Sequence, residues 1–321
     1  MQHLRRLMAE EQPGIAAALE AALAKLPPNA AGPAGHVLRA GGKRLRPLLT
    51  LLWGKVFGLA HADLYTLGAA VEMLHAATLL HDDILDRAEL RRGKPAAHTV
   101  FGLTESVLAG DAMLAGALLM VSRLGDARLT ACISEAVMHT AEGEAAELAS
   151  LRNLDVDQEA YLGMITGKTA WMLRAACELG ALRAGAEPAG VEAAARFGLE
   201  LGIAFQLVDD CLDFSPPEET GKPQGGDLRE GKATPPLLLY LADLDPQRRT
   251  AFAERFTAGT LEDADLEAVC RDIYAGGYAK KARALAEERL ASAASALHGL
   301  FSCPELAALG EMCDYIRNRS A

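Results

Sequence analysis

The sequence carries one acidic pentad twice, Asp-Asp-Ile-Leu-Asp at 82–86 and Asp-Asp-Cys-Leu-Asp at 209–213. Each closes an apolar run of helical character, LHAATLLHDDILD and LGIAFQLVDDCLD. At 3.6 residues per turn, Asp82 and Asp86 share a helix face while Asp83 lies roughly 100° away; Asp209 and Asp213 stand in the same relation to Asp210. Burying several unpaired carboxylates is costly, and acid at a helix C-terminus opposes the macrodipole. A hard divalent cation compensates both penalties. Mg²⁺ favours one or two carboxylates completed by substrate phosphates. Two such turns facing each other would hold a diphosphate through bridging metals, so all six aspartates are candidate metal ligands.

Cationic motifs accompany the pentads. Gly-Gly-Lys-Arg-Leu-Arg-Pro at 41–47 places three cations in four residues ahead of a helix, suited to gripping phosphate by charge and by bidentate guanidinium geometry. Lys43 and Arg46, three apart, are expected on one face once that helix begins. Arg91-Arg92-Gly93-Lys94-Pro95 follows Asp86. Its adjacent arginines point different ways and can serve separate anions, with the glycine and proline shaping a turn. Gly167-Lys168-Thr169 is not a phosphate-cradling P-loop, because position 162 is Leu where the first glycine belongs. A lysine and threonine on a cavity-lining helix can still meet a diphosphate. Behind the second pentad, Lys222 and Lys232 lie in a Gly/Pro-rich loop that suits a flap over anions. His75, two turns before Asp82, reaches the same face, whereas His81 has the character of a structural histidine.

The elements that must position these groups are helical nearly throughout. Alanine and leucine dominate and β-branched residues are sparse, which favours helix over sheet. Helices are expected up to a Pro/Gly-rich break at 27–35, from 41–47 through Gly58, and over 63–86, 104–124, 126–150, 157–180 and 188–213. After the loop at 214–236, shorter helices cover 237–242, 247–256, 261–274, 276–299 and 304–318. The expectation is a single all-α domain over 1–321, a helical bundle around a central cavity with the motif helices facing each other. A net charge of −11 over 321 residues argues against general nucleic-acid binding. Six scattered cysteines without a Cys-x-x-Cys pair suit reduced thiols. With neither a signal-like start nor an uninterrupted apolar run of about 18 residues, a cytoplasmic protein without a membrane span is expected.

Together the two DDxxD motifs, GKRLRP, RRGKP, GKT, FQLVDD and GKPxGxDLREGK resemble the trans-isoprenyl diphosphate synthases. The resemblance runs in order from about Gly41 to Pro236. It implies an all-α bundle around a deep cavity, dependence on Mg²⁺ (three ions per loaded site), a homodimer, and isopentenyl diphosphate and an allylic diphosphate as substrates. Residue by residue, Asp82 and Asp86 resemble ligands of two ions on the allylic diphosphate, and Asp209, helped by Asp210 and Asp213, resembles the site of a third. Asp83 belongs to the same acidic set. Lys43, Arg46, His75 and Arg92 match positions that hold isopentenyl diphosphate. Arg91, Lys168, Thr169, Gln206, Lys222 and Lys232 match those around the allylic diphosphate. The implied chemistry is ionisation to an allylic cation, attack by the alkene of isopentenyl diphosphate, and proton loss, with Lys168 and Thr169 steadying the cation. Before Pro235-Pro236, Thr234 departs from the family's apolar residue and single proline.

Product length follows from what lines the tunnel beside the first motif helix. Each turn deeper adds about 5.4 Å, roughly one isoprene unit. Ala77 and Thr78, one turn before Asp82, are small, with Met73 a turn below, and the first pentad lacks the two-residue insertion of farnesyl-forming bacterial enzymes. Both features imply a long-chain product, octaprenyl-like, for quinone side chains, with peripheral hand-off at a membrane surface. The competing readings are a geranylgeranyl or farnesyl synthase and a non-catalytic subunit of a heteromeric prenyl synthase. Such subunits tend to lose the Asp motifs, and both are intact here. A class I terpene cyclase would pair one Asp-rich helix with a differently built second motif.

Overall fold

A computed structural model describes residues 1–217 and 224–319; Lys222 and the rest of 218–223 lie outside the described residues. The chain is all-α. Its only sheet among the described residues is a hairpin of two two-residue strands, β1 (Leu90–Arg91) and β2 (Lys94–Pro95). The helices are α1 (Gln2–Leu23), α2 (Pro28–Leu38), α3 (Leu45–Val56), α4 (Ala62–Leu85), α5 (Ala97–Phe101), α6 (Leu103–Ser122), α7 (Ala127–Ser150), α8 (Gln158–Ile165), α9 (Trp171–Arg183) and α10 (Pro188–Leu212). They continue with α11 (Gly226–Glu230), α12 (Pro235–Ala242), α13 (Pro246–Ala258), α14 (Asp263–Ala275), α15 (Tyr278–Ser295) and α16 (Pro304–Arg317).

Three expectations need correcting. The break that ends the first helix is shorter than expected and falls at 24–27, and residues 28–35 open α2. Pro28 sits at the first helical position, where no N–H is needed. Pro33 gives up one backbone bond inside the helix, a loss that packing of α2 against α4 and α6 offsets. Second, α3 starts only at Leu45, with Arg44 as a left-handed N-cap at φ 51°. Lys43 therefore lies outside the helix and shares no face with Arg46. Third, the expected helix at 157–180 is interrupted at Thr166–Ala170 by a single π turn. Such turns often mark functional sites, and this one carries Gly167-Lys168-Thr169. The double proline does not delay α12, since Pro235 and Pro236 occupy its opening turn after Thr234.

The chain forms two compact units. The first comprises Met1–Met138, Met172–Gly198 and Ala296–Met312. Its core gathers Leu48, Leu49, Leu51, Leu52 and Trp53 of α3 with Leu64 and Leu67 of α4, all at most 1% exposed. Trp53 meets Phe197 edge to face, ring centroids 5.7 Å apart. This packing, along with α6, holds α4 and so orients the first pentad. The second unit comprises His139–Trp171, Leu199–Ser295 and Cys313–Ala321. Phe214, Leu228, Leu237, Leu241, Phe256 and Ile273 form a core immediately behind the second pentad. All six cysteines are free thiols.

Candidate active site

In the first unit, α4 ends at Leu85 and Asp86 is its C-cap. Asp82 is half-buried, Asp86 exposed and Asp83 1% exposed. The helical period thus separates the pentad as its spacing predicts. Asp83 turns inward onto Arg91, whose Nε donates at 2.6 Å and whose Nη2 also pairs with the same oxygen. The other Asp83 oxygen is buried without a hydrogen-bond partner. Arg91 is held by this carboxylate, while Arg92 turns the other way and donates to the Gly41 carbonyl. The hairpin makes this divergence possible: Arg91 pairs with Lys94, and Arg92 and Gly93 turn at φ 53° and 73°, the left-handed pair that a two-residue hairpin loop demands.

Arg92 thereby brings the 41–47 segment to the end of α4. Arg44 donates to Glu72 at 2.5 Å and to the Leu38 carbonyl. His75 is surrounded by cations. Burial above all, then the charges of Arg46, Arg92, Arg91 and Arg44, holds its imidazole well below the usual range. Burial likewise lowers Arg46, whose Nε is enclosed with no hydrogen-bond partner. Of the four guanidiniums around this buried imidazole, Arg44 is answered by Glu72 and Arg91 by Asp83, which leaves Arg46 and Arg92 facing no carboxylate of comparable closeness among the described residues. A diphosphate group fits there, and Lys43 stands exposed on the same segment.

The second unit gathers the other motifs. Tyr161 donates to Asp210 Oδ2, and Gln206 Nε2 donates to Asp210 Oδ1 at 2.7 Å. Gln206 in turn accepts from the Thr169 hydroxyl at 2.9 Å. Asp213 follows the last residue of α10 and accepts the backbone N–H groups of Gly226 and Asp227 at 2.9 and 3.0 Å. Asp209, more exposed, has Arg319 Nη1 2.9 Å away, and that guanidinium lies over the Phe205 ring. Lys168 reaches Glu147 at 2.5 Å and Glu144 at 2.9 Å. Lys232 reaches Glu230 at 2.7 Å and Glu147 at 3.3 Å. Glu147, Tyr161, Lys168, Gln206, Asp210, Asp227 and Lys232 line a common cavity of about 70 Å³.

Electrostatics indicates what this acidic wall lacks. Burial pushes Asp210 up to about 7 and Asp213 to about 6. Burial and the neighbouring Asp213 push Asp227 well above the usual carboxylate range. These carboxyls resist ionisation because burial and mutual repulsion outweigh the help of Lys232, 3.8 Å from Asp227. No three acidic or imidazole side chains among the described residues are gathered closely enough to enclose a metal alone. The carboxylate oxygens of both pentads are the hard donors that Mg²⁺ accepts, with water and phosphate oxygens completing its shell.

Residues 27–273 match the polyprenyl synthetase family. The chain belongs to that family. It is 36% identical over 270 residues to an octaprenyl diphosphate synthase of Escherichia coli, covering 84% of this chain and 83% of that one. It is 34% identical over 290 residues to a short chain isoprenyl diphosphate synthase of Methanothermobacter thermautotrophicus, covering 88% of each. A crystal structure of polyprenyl synthase from Caulobacter crescentus, complexed with calcium and isoprenyl diphosphate, superposes with a TM-score of 0.93 at 37% identity, over 99% of this chain and 98% of that one. As a polyprenyl synthetase the chain is a prenyltransferase.

Some partners of the candidate site residues lack a local sequence signature. Arg44 and Glu72 sit 28 residues apart, and Tyr161 meets Asp210 across 49. Glu144 and Glu147 do carry a faint signal: with Gly143 and Ala146 they flank one stretch of α7, and acids three apart share a helix face. Gly143 is required by contact, because a Cβ there would lie 2.1 Å from the Lys168 backbone nitrogen. His81 packs its ring against Gly110, with Nε2 3.2 Å from the Val107 carbonyl.

Proposed function

We propose that this prenyltransferase condenses isopentenyl diphosphate head to tail with an allylic prenyl diphosphate, elongating it to an octaprenyl-like all-trans product. The observation that carries the substrate pair is the presence of two charged sites of different construction, one rich in guanidiniums and one rich in carboxylates. One is built from guanidiniums around His75; the other combines two lysines with an acidic wall. Isopentenyl diphosphate keeps its diphosphate, so a metal-free grip by Lys43, Arg46, His75 and Arg92 suffices for it. The allylic diphosphate must leave. Lys168, Lys232, Lys222 and Arg91 attract it, and Asp82, Asp86, Asp209, Asp210 and Asp213, with Asp83 behind them, would hold Mg²⁺, about three ions. Bound Mg²⁺ supplies charge stabilisation for the departing diphosphate.

The residues then act as follows. As the allylic C–O bond breaks, the Thr169 hydroxyl, oriented by Gln206, and the backbone of the π turn face the developing cation. Tyr161 and Gln206 fix the Asp210 carboxylate, and the Asp213 carboxylate is fixed by two backbone N–H groups. The alkene of isopentenyl diphosphate attacks the cation, forming the new C–C bond. The adduct then loses a proton to the departed diphosphate. Exclusion of water matters because water would quench the cation.

Support for a long product lies in Ala77 and Met73, small or flexible residues at most 1% exposed on α4, with Thr78 bonded to its own helix at the His75 carbonyl. The short-chain relative keeps a geranylgeranyl-sized or farnesyl-sized product as the second reading. Both Asp motifs remain, against a non-catalytic subunit. We take the protein to be cytoplasmic and homodimeric. The apolar α6 supports the dimer: Leu103, Leu108 and Leu119 are about half exposed. Sedimentation at twice the chain mass would agree with a dimer, and an active monomer would contradict it.

The test is to incubate the purified chain with labelled isopentenyl diphosphate and farnesyl diphosphate, with Mg²⁺ or with EDTA, and chromatograph the dephosphorylated products. A Mg²⁺-dependent ladder ending near about C40, one unit per turn of tunnel, is expected. An end at C15–C20 favours the second reading, and no turnover by the chain alone favours the subunit.

A further inference from the structure

We propose that Glu147 is a positioning residue, a single carboxylate that holds the ammonium groups of Lys168 and Lys232 together so that both meet one diphosphate. The inference rests on the reading that these lysines bind the allylic diphosphate. Both contact the same oxygen, Glu147 Oε1, at 2.5 and 3.3 Å. Two ammonium groups so placed repel, and Lys232 works against the charge on Lys168. Glu147 cancels that repulsion. Although burial works to raise its pKa, Lys232 and Lys168 together hold it below the usual range.

The two lysines come from independently anchored segments. Lys168 rides the π turn, whose backbone is seated directly against Gly143 of α7, one turn before Glu147. Lys232 follows α11, where its N–H donates to the Asp227 carbonyl at 2.9 Å and the Gly231 carbonyl accepts from the Arg152 N–H at 2.7 Å. Among the described contacts, Glu147 is where these segments meet through charge. Glu144 remains to Lys168, and Glu230 to Lys232. Losing Glu147 therefore unpairs neither lysine. It removes only what holds them together, so a purely structural role and a positioning role give different results.

Glu147→Gln, Glu147→Asp, Lys168→Ala, Lys232→Ala and the Glu147→Gln/Lys232→Ala double variant are compared by kcat, KM for the allylic substrate, calorimetric affinity for inorganic pyrophosphate with Mg²⁺, and melting temperature. We expect Glu147→Gln to lower kcat by about 10- to 100-fold, because donors lose their transition-state geometry. Pyrophosphate affinity and KM should hold or tighten, since a negative charge has left the site. Glu147→Asp should recover part of kcat, and it decides the matter if the Gln variant does not fold. In the double variant, loss of Lys232 should cost less than in the wild-type background. A kcat within twofold of wild type in both Glu147 variants, or strictly additive losses, overturns the proposal. If Lys168→Ala and Lys232→Ala leave both kcat and pyrophosphate affinity unchanged, the lysine reading fails instead.

Discussion

Asp82→Ala is expected to lower kcat by on the order of 10²–10³ or more, the scale of losing a group that stabilises transition-state charge, while the melting temperature moves by only a few degrees. The reason lies in how the pentad is divided. Asp83 carries the internal load: it is almost wholly buried and clamps Arg91. Asp82 and Asp86 lie on the more open side at the C-terminal end of α4. There a carboxylate opposes the helix dipole by about 0.3–1 kcal/mol, so removing one does not undermine the helix. Asp83→Ala provides the contrast. It strands the Arg91 guanidinium and should cost about 1–3 kcal/mol in stability, with a smaller loss of kcat. Steady-state kinetics and thermal melts of the two variants check the pattern. Near-normal turnover in Asp82→Ala, or a melting loss as large as that of Asp83→Ala, counts against the division.

Ala77→Phe is expected to shift the products to about C15–C20, because a bulky ring one turn before Asp82 would close the proposed tunnel about one or two 5.4 Å turns early. Ala77 is buried, with Met73 a turn below it on α4. Gly116 of α6 faces Met73, and an added Cβ there would approach Leu26 at 3.2 Å and Met73 at 3.5 Å. These walls are flexible or small, and a phenylalanine is neither. Overpacking can cost about 1–3 kcal/mol, so the informative readout is the product distribution, not the rate. Mass spectrometry of the dephosphorylated products checks it. An unchanged ladder from a folded variant removes Ala77 from the determinants of length.

Much of this was legible before any coordinates. Duplicated acids on a 3.6-residue period located the ends of α4 and α10, and Gly93 announced the turn that sends Arg91 and Arg92 opposite ways. Periodicity could not show the π turn, whose register differs by one residue from an α-helix over five positions. Nor could it show that 28–35 is helical, since tertiary packing there overrides what two prolines and two glycines disfavour. Lys43 lies outside α3 because the left-handed Arg44 ends the loop one residue later than the motif suggests. Glu72, Glu147, Tyr161 and Asp227 were missed for a common reason. Their roles depend on partners that only the fold supplies, even for Glu147, three residues from Glu144, and for Asp227, which lies within the second loop motif.

The most direct test counts metal. Mn²⁺ is titrated, by electron paramagnetic resonance, into the chain holding an allylic thiodiphosphate that cannot ionise. The account predicts about three tightly bound ions, falling to about one in Asp82→Ala and about two in Asp209→Ala, because each pentad supplies its own share of the shell. A stoichiometry that neither substitution changes would contradict it.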